Sequence, residues 1–499
     1  MTGVKVSEGG LASGQPWLGQ ARISFARARP RLAGYWRQHW LMTVVAGLSL
    51  LPRLLAALAV RPALFTPDSF GYLAEGVHLL PGQTRPSGYP VMLLVLAPFH
   101  SLLLVTTVQH LMGVATGVLV YAVLRHWRLP ACGAVLAAGP VLFDPRQLVL
   151  ESAVLPDTLY TLLVTAAVAV LLTRRGPAVA LAATAGFLLA CAAITRGNGA
   201  AEIVAVLAVL AGQRAGWRPV TAAAAAFLIP LLAYMTVFDL VYGSFALTSS
   251  DGMFAWSRTM SFANCAVIQP PPSLRPLCPD RQPGHPGATP GWSLPPLLAA
   301  RAPSAYLWAS GAWWRHDRHP GINAQNNALA MRFAEDAIRA QPADYLRTVA
   351  SGVMLTFLAT DRSLTVRTLH FTPHPDVAHL SATAVRHLRG YAHVTSDTRA
   401  VQPWAYFLYL YQEPVYFPGL AFAAVLAIGL AGIIRARRSR GYPAALPWAV
   451  AAVGLVVPVA VHEYHYRYVI TIVPVACLAA GLAFARNHRG EQEARDARG

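Results

Sequence analysis

Residues 41–73 read LMTVVAGLSLLPRLLAALAVRPALFTPDSFGYL. The run 41–60 is apolar apart from Arg53. It is long enough for a helix to cross a hydrocarbon layer of about 30 Å. A turn-forming stretch follows, and then Asp68 opens a second helical pattern. A membrane helix feeding a short loop that carries a carboxylate sets the class as an all-α polytopic membrane protein. Residues 41–60 read as a signal anchor that stays in place, because the polar and basic residues before them lack the short charged start of a cleavable signal and the apolar run is long. Arg53 inside the run is expected to be paired or to snorkel.

The rest of the chain repeats the pattern. Of the 499 residues, 55% are hydrophobic and 12% charged, against about 25% charged in a soluble domain. A soluble enzyme, a disordered chain, a collagen and a disulfide scaffold are excluded for the whole chain. Further apolar windows fall near 101–124, 129–144, 155–173, 177–195, 199–213, 219–241, 416–434, 443–461 and 468–485. With 41–60 they predict about 10 transmembrane helices.

Charge orients them. Forty basic residues against 22 acidic give +18, and Lys5 is the single lysine. The arginines gather in short runs between apolar windows, the pattern of cytoplasmic loops and not of a nucleic-acid groove. With the N-terminus inside, Arg125–Arg128, Arg174–Arg175, Arg214–Arg218, Arg435–Arg440 and the tail after Arg486 are all cytoplasmic. Residues 345–360 (YLRTVASGVMLTFLAT) are apolar enough to tempt a further span. Counting them would put the basic run at 435–440 on the outer face, so they read as an amphipathic surface helix.

The expected organisation is a basic cytoplasmic N-terminus at 1–40 and a transmembrane module at 41–241 that includes a first outer loop, 61–100. An extracytoplasmic region at 242–402, C-terminal transmembrane helices at 403–485 and a cytoplasmic tail at 486–499 follow. Helices are expected at about 71–80, 88–98 and 323–341, and an irregular proline-rich loop at 269–303. Cys132, Cys191 and Cys477 lie in apolar stretches as small hydrophobes. Cys265 and Cys278, 13 positions apart in one outer loop, are candidates for a disulfide.

Apart from Glu8, Glu491, Glu493 and Asp496 in the termini, all acidic residues fall on the outer side of this topology. Chemistry should therefore face outward. The first outer loop brings Asp68, which could simply cap a helix. FDPRQLVLESAVLPDTLYTLL (143–163) brings Asp144, Arg146, Glu151 and Asp157, the last again at a helix start. TRGNG (195–199) wedges Arg196 between two spans, which is costly unless it meets an anion. VHEYHYRYVITIVPV (461–475) brings His462, Glu463, His465 and Arg467. His462 and His465 have metal-ligand spacing but no evident third ligand, and Tyr464, Tyr466 and Tyr468 read as an interfacial aromatic belt. Arginines suit a phosphate, and a carboxylate suits proton removal from an attacking hydroxyl.

TPDSFGYL (66–73), RPSGYP (85–90), LPDTLYTLL (155–163), TRGNG (195–199) and RYVITIVPVACLAAG (467–481) occur in this order. In order and placement they resemble the GT-C superfamily of integral-membrane glycosyltransferases, in the branch of protein O-mannosyltransferases and the lipid A aminoarabinose transferase. The resemblance covers about 65–245 and 400–485. It implies a GT-C-like helical bundle in the cell membrane. It implies transfer of a sugar, with inversion, from a polyprenyl-phosphate donor to a hydroxyl of a glycan, lipid or protein. Asp68 and Asp157 would be the catalytic acids. Arg85, Arg196 and Arg467 would hold the donor phosphate, and Tyr72, Tyr89, Glu151 and His462 would complete the donor and acceptor pocket. Asp68 is followed by Ser69, where many relatives carry a second acid, and arginine replaces the lysine anion binders. No cofactor is required by this reading, and a divalent metal is left open. The competing readings are a transporter or flippase, and a non-catalytic subunit of an envelope-polysaccharide machine. The discriminator is whether Asp68, Asp157, Arg196 and Arg467 converge.

Overall fold

The computed structural model describes residues 16–485 apart from 79, 175–177, 280–302, 318, 359–369, 374–379 and 437–442, and no side chains before residue 38. The protein is an all-α membrane protein. In chain order the helices are α1 (Pro16–Ala59), α2 (Pro67–Glu75), α3 (Gly88–Leu96), α4 (Leu102–His126), α5 (Ala131–Phe143), α6 (Pro145–Ser152) and α7 (Asp157–Leu172). Then come α8 (Val179–Thr195), α9 (Glu202–Gly212), α10 (Trp217–Tyr242), α11 (Asp251–Thr259), α12 (Cys265–Ile268), α13 (Pro303–Leu307) and α14 (Ala324–Ala340). The last six are α15 (Pro342–Leu358), α16 (Ala382–Ala392), α17 (Trp404–Gln412), α18 (Gly419–Arg435), α19 (Ala445–Val461) and α20 (Tyr466–Leu482).

Each apolar window of the sequence coincides with a helix: α1, α4, α5, α7, α8, α9, α10, α18, α19 and α20. By length and composition, three of them are sufficient to cross a membrane, at Gln38–Ala59, Leu102–His126 and Trp217–Tyr242. The other seven are shorter apolar helices. The first helix also runs back to Pro16, through part of the basic stretch read as a tail.

Small residues let the helices close on one another. A Cβ on Gly186 would lie 2.1 Å from the Ala223 carbonyl, so α8 and α10 touch backbone to backbone. The main core fills the bundle and draws on α4, α7, α8, α19 and α20. A second core of Met253, Trp256, Leu277, Leu307, Trp314 and Phe333 lies under α11, α13 and α14. We call the described residues of 248–340 around it the cap subdomain. Within it the structure joins Cys265 to Cys278. The proline-rich 280–302 lies outside the described residues.

The first surface helix begins four residues before its expected start at 71, because Pro67 occupies its first turn and Thr66 takes the N-cap position. The segment near 345–360 forms α15, packed beside α18 and α19. Its last two residues, like the termini and most of the basic run at 435–440, lie outside the described residues. A two-residue antiparallel ladder pairs Val60–Arg61 with Arg399–Ala400 and ties the end of α1 to the chain before α17.

Candidate active site

Two backbone contacts bring the acidic loops side by side. Leu64 N–H donates to the Ser152 carbonyl at 2.9 Å, and Val154 N–H donates to the Leu64 carbonyl at 3.1 Å. This pairs Leu64 with Ala153 in a single parallel bridge. Asp68 follows the first strand of the bridge by four residues, and Asp157 follows the second by four. Each therefore falls in the first turn of a helix, α2 or α7, where the helix dipole favours a carboxylate. Gln109 braces the same turn: its Nε2 donates to the carbonyls of Glu151 and Ala153 at 2.9 and 2.7 Å.

Neither acid is spent on capping. At α2 the cap contacts belong to Thr66 and Ser69, with Thr66 N–H donating to Ser69 Oγ at 2.9 Å. At α7 no side chain makes a cap hydrogen bond. Instead the acids enter an alternating chain of charges. Arg85 Nη2 donates to Asp68 Oδ1 at 2.5 Å. Arg467 Nη1 donates to Asp68 Oδ2 at 3.3 Å, and its Nε donates to Asp157 Oδ2 at 2.7 Å. Arg196 Nη1 donates to Asp157 Oδ1 at 2.5 Å. The order is Arg85, Asp68, Arg467, Asp157, Arg196. Residues from four separate parts of the sequence meet in one line.

The line has a depth. The Asp68 side chain is 29% exposed and Asp157 only 1%. Asp68 lies at the mouth and Asp157 beneath it. Burial alone would raise the Asp68 carboxyl, but Arg85 and Arg467 outweigh it and hold the group below its ordinary 3.8. Asp68 is thus ionised at neutral pH. Within the line three guanidiniums face two carboxylates, and Glu75 near Arg85 adds a carboxyl that burial pushes up to about 7. Aromatic faces support the arginines: Arg196 lies 4.4 Å from the Tyr468 ring centre, and Arg85 5.7 Å from that of Tyr72.

Such an arrangement suits an anion with several oxygens that can share the guanidinium donors. It does not suit a divalent cation, which would face three positive side chains. Among the described residues, no group of three His, Cys, Asp or Glu side chains is placed to hold a metal. His465 is used differently: its Nδ1 accepts from Arg467 N–H at 3.1 Å and caps α20.

No protein-family model matches the chain, and no curated protein does. Among solved structures it is similar to ArnT from Cupriavidus metallidurans bound to undecaprenyl phosphate. That likeness has 14% identity and a TM-score of 0.31, over 91% of this chain and 80% of that one. The apo state of the same protein gives 13% identity and a TM-score of 0.30, over 91% and 79%. Values this low leave the function to be read from the site itself.

The remaining candidates separate from the charge chain. Glu151, expected in the pocket, is sealed inside the bundle. Arg53 Nη2 donates to its Oε1 at 2.9 Å, and His110 Nδ1 meets its Oε2 at 2.9 Å. Arg53 is therefore paired, not snorkelling. Tyr89 is fully buried and donates to Gln109 Oε1 at 2.7 Å, so it braces the acidic turn and lines no open groove. Tyr72 stays at the site, edge-on to Tyr89 at 5.3 Å. His462 packs on the Phe254 ring at 4.5 Å, one step away from the arginines. Asp144 caps α6 and pairs with Arg146 at 3.0 Å. Arg146 in turn lies 3.7 Å from the Tyr466 ring centre. Tyr466 and Tyr468 are thus arginine partners, not simply belt residues.

The sequence reading missed Tyr160 and Glu202. Tyr160 lies 5.7 Å below Arg196 and donates to Glu202 Oε1 at 2.8 Å. The available signal was Glu202 itself, a carboxylate opening an apolar window six residues after Arg196.

Proposed function

We propose that the protein is a membrane glycosyltransferase of the GT-C kind, acting on the extracytoplasmic face of the cell membrane. It moves a sugar from a polyprenyl-phosphate donor to a hydroxyl acceptor, a glycan, lipid or protein, with inversion. The observation that carries this reading is the line Arg85, Asp68, Arg467, Asp157, Arg196, three guanidiniums facing two carboxylates. The motif order in the sequence supports it. The convergence of the acids and arginines is what an active site requires and what an accessory subunit does not.

The roles follow from exposure and charge. The donor phosphate lies on Arg85, Arg467 and Arg196, and its isoprenoid tail runs along the apolar helices. Asp68, the accessible and ionised acid, accepts the proton of the acceptor hydroxyl. The acceptor oxygen bonds to the anomeric carbon as the bond from that carbon to the phosphate oxygen breaks. Polyprenyl phosphate leaves with the electron pair, and the arginines stabilise the charge that develops on it. One displacement from the face opposite the phosphate inverts the anomeric centre. Asp157, with both oxygens on guanidiniums, holds Arg196 and Arg467 at their spacing. In this reading both termini are cytoplasmic, which the arginine runs between the apolar windows of the sequence support.

The test is transfer by the purified protein from polyprenyl-phosphate mannose, glucose and arabinose, with membrane extract as acceptor, beside Asp68→Asn. Turnover of one donor that disappears in the variant is expected. A panel giving neither binding nor turnover would favour the transport or accessory readings.

A further inference from the structure

Arg85 and Arg467 stand at or beside irregular segments, residues 80–87 and 462–465, that no helix stiffens from within. Both segments are fastened to the cap subdomain. On the Arg85 side, Ser249 N–H donates to the Gln83 carbonyl at 2.8 Å. Ser250 Oγ donates to the Thr84 carbonyl at 2.8 Å, directly before Arg85. On the Arg467 side, the Phe254 ring rests on His462 at 4.5 Å. Ser304 N–H donates to Glu463 Oε2 at 3.0 Å. Residues 248–254 therefore reach both arginine-bearing segments within seven positions.

This piece of chain has little slack. Thr248 Oγ1 lies 3.0 Å from Ser250 Oγ and donates to Asp251 Oδ1 at 3.0 Å. Asn327 Oδ1 of α14 accepts from Gly252 N–H at 2.7 Å and from Met253 N–H at 3.2 Å. A Cβ on Gly252 would lie 2.1 Å from the Asn327 carbonyl oxygen, so α11 and α14 are in backbone contact there. Thr248, Ser249 and Ser250 are all buried. Arg258, one turn beyond Phe254, donates to the Thr348 carbonyl at 2.8 Å and anchors α11 to α15.

We propose that residues 248–254 form a strap that sets the separation of Arg85 and Arg467, with Ser250 as its positioning residue. Through this strap the cap subdomain tunes the affinity of the charge chain for a phosphate. The inference rests on the reading of that chain as a phosphate site. Ser250 touches no substrate in this scheme. It acts by fixing the Thr84 carbonyl, and so the point from which the Arg85 side chain leaves the backbone. A guanidinium whose base can wander loses part of its advantage in a bidentate contact, because the ordering must then be made on binding.

The experiment uses the full chain in detergent, with a short-chain polyprenyl monophosphate as probe and inorganic phosphate as competitor. Ser250→Ala is expected to weaken probe binding about three- to tenfold, the size of one net hydrogen bond, with the unfolding midpoint lowered by only a few degrees, about 2–4 °C. Amide hydrogen exchange should accelerate over residues 82–86 in Ser250→Ala, and over 462–468 in Phe254→Ala, with α4 unaffected. Ser250→Thr, which keeps the hydroxyl, should restore slow exchange at 82–86. Unchanged exchange at 82–86 in Ser250→Ala overturns the strap. Faster exchange with unchanged affinity overturns its effect on the site. If the unmodified protein fails to bind the probe, the phosphate reading and the affinity effect both fall, and the exchange data alone decide whether the strap holds the two segments.

Discussion

Two of the molecule's arginine–carboxylate clusters differ in what surrounds them. Inside the bundle, Glu151 is fully buried and answered by Arg53, His110 and Gln147. Arg53 also donates to the Ser49 and Leu142 carbonyls, and Gly113 leaves the space that the carboxylate fills. One acid meets one arginine, and water has no access. At the mouth, two acids meet three arginines and Asp68 is open to solvent. The inner cluster balances one carboxylate against one guanidinium out of reach of solvent, with Arg53 Nε and His110 Nε2 left unpaired. The outer one sets three guanidiniums against two carboxylates and has side chains that a ligand can reach. A buried ion pair is therefore no sign of a site by itself; imbalance and access are.

Substitutions can break this contrast. The largest effect is expected from Asp68→Asn, which removes the proton acceptor while keeping the shape. Sugar transfer should fall about 100- to 10,000-fold, with the unfolding midpoint close to that of the parent. A retained rate would remove Asp68 from the chemistry. Next is Glu151→Gln, which leaves Arg53 buried without its counter-charge and costs about 3–5 kcal/mol. It should lower thermal stability strongly while the rate per folded molecule survives, and a specific loss of rate in a stable variant would contradict the division drawn here. Arg467→Lys keeps the charge but cannot span Asp68 and Asp157 with one planar group. Donor phosphate affinity should drop about ten- to a hundredfold, measured by titration with polyprenyl monophosphate.

The smallest effect sharpens the contrast at its edge. Glu75 lies one helical turn beyond Tyr72, and its carboxyl is pushed up by burial from 4.5 to about 7, against a weaker opposing pull from Arg85. The folded state then holds more protons than the unfolded one between about 4.5 and 7, so this group's contribution to stability is lost as pH rises through that window. Glu75→Gln should raise the unfolding midpoint by about 2–4 °C at pH 8 and leave it unchanged near pH 4.5. Scanning calorimetry at the two pH values reads the difference.

Much of this was legible in the sequence. Apolar windows located ten of the described helices, three of them long and apolar enough to cross a membrane, since a membrane helix must satisfy its backbone internally and so has a plain signature. Asp68, Asp157, Arg85, Arg196 and Arg467 could be gathered because the topology expected from the arginine runs puts their loops on one side. What sequence could not do was choose among Asp144, Glu151 and Asp157. They lie within 14 positions, and only the bridge at Leu64 and the register of α6 send one to the site, one to Arg53 and one to a helix cap. Arg53 finds its partner 98 residues away, beyond any local pattern. Ser250 is a common residue in a polar turn, and nothing local distinguishes it.

One detail of the mouth bears on timing. In the structure both Asp68 oxygens accept hydrogen bonds, one from Arg85 and one from Arg467. A proton acceptor in that condition is masked. A phosphate that draws the two guanidiniums onto its own oxygens uncovers the carboxylate as it docks. If the protein acts as proposed, this sets an order of events: the lipid-linked donor arrives, the base is released, and only afterwards is there anything to deprotonate an acceptor. Such an interlock keeps the site from activating water while it waits, a safeguard of value to any catalyst that handles a scarce lipid carrier.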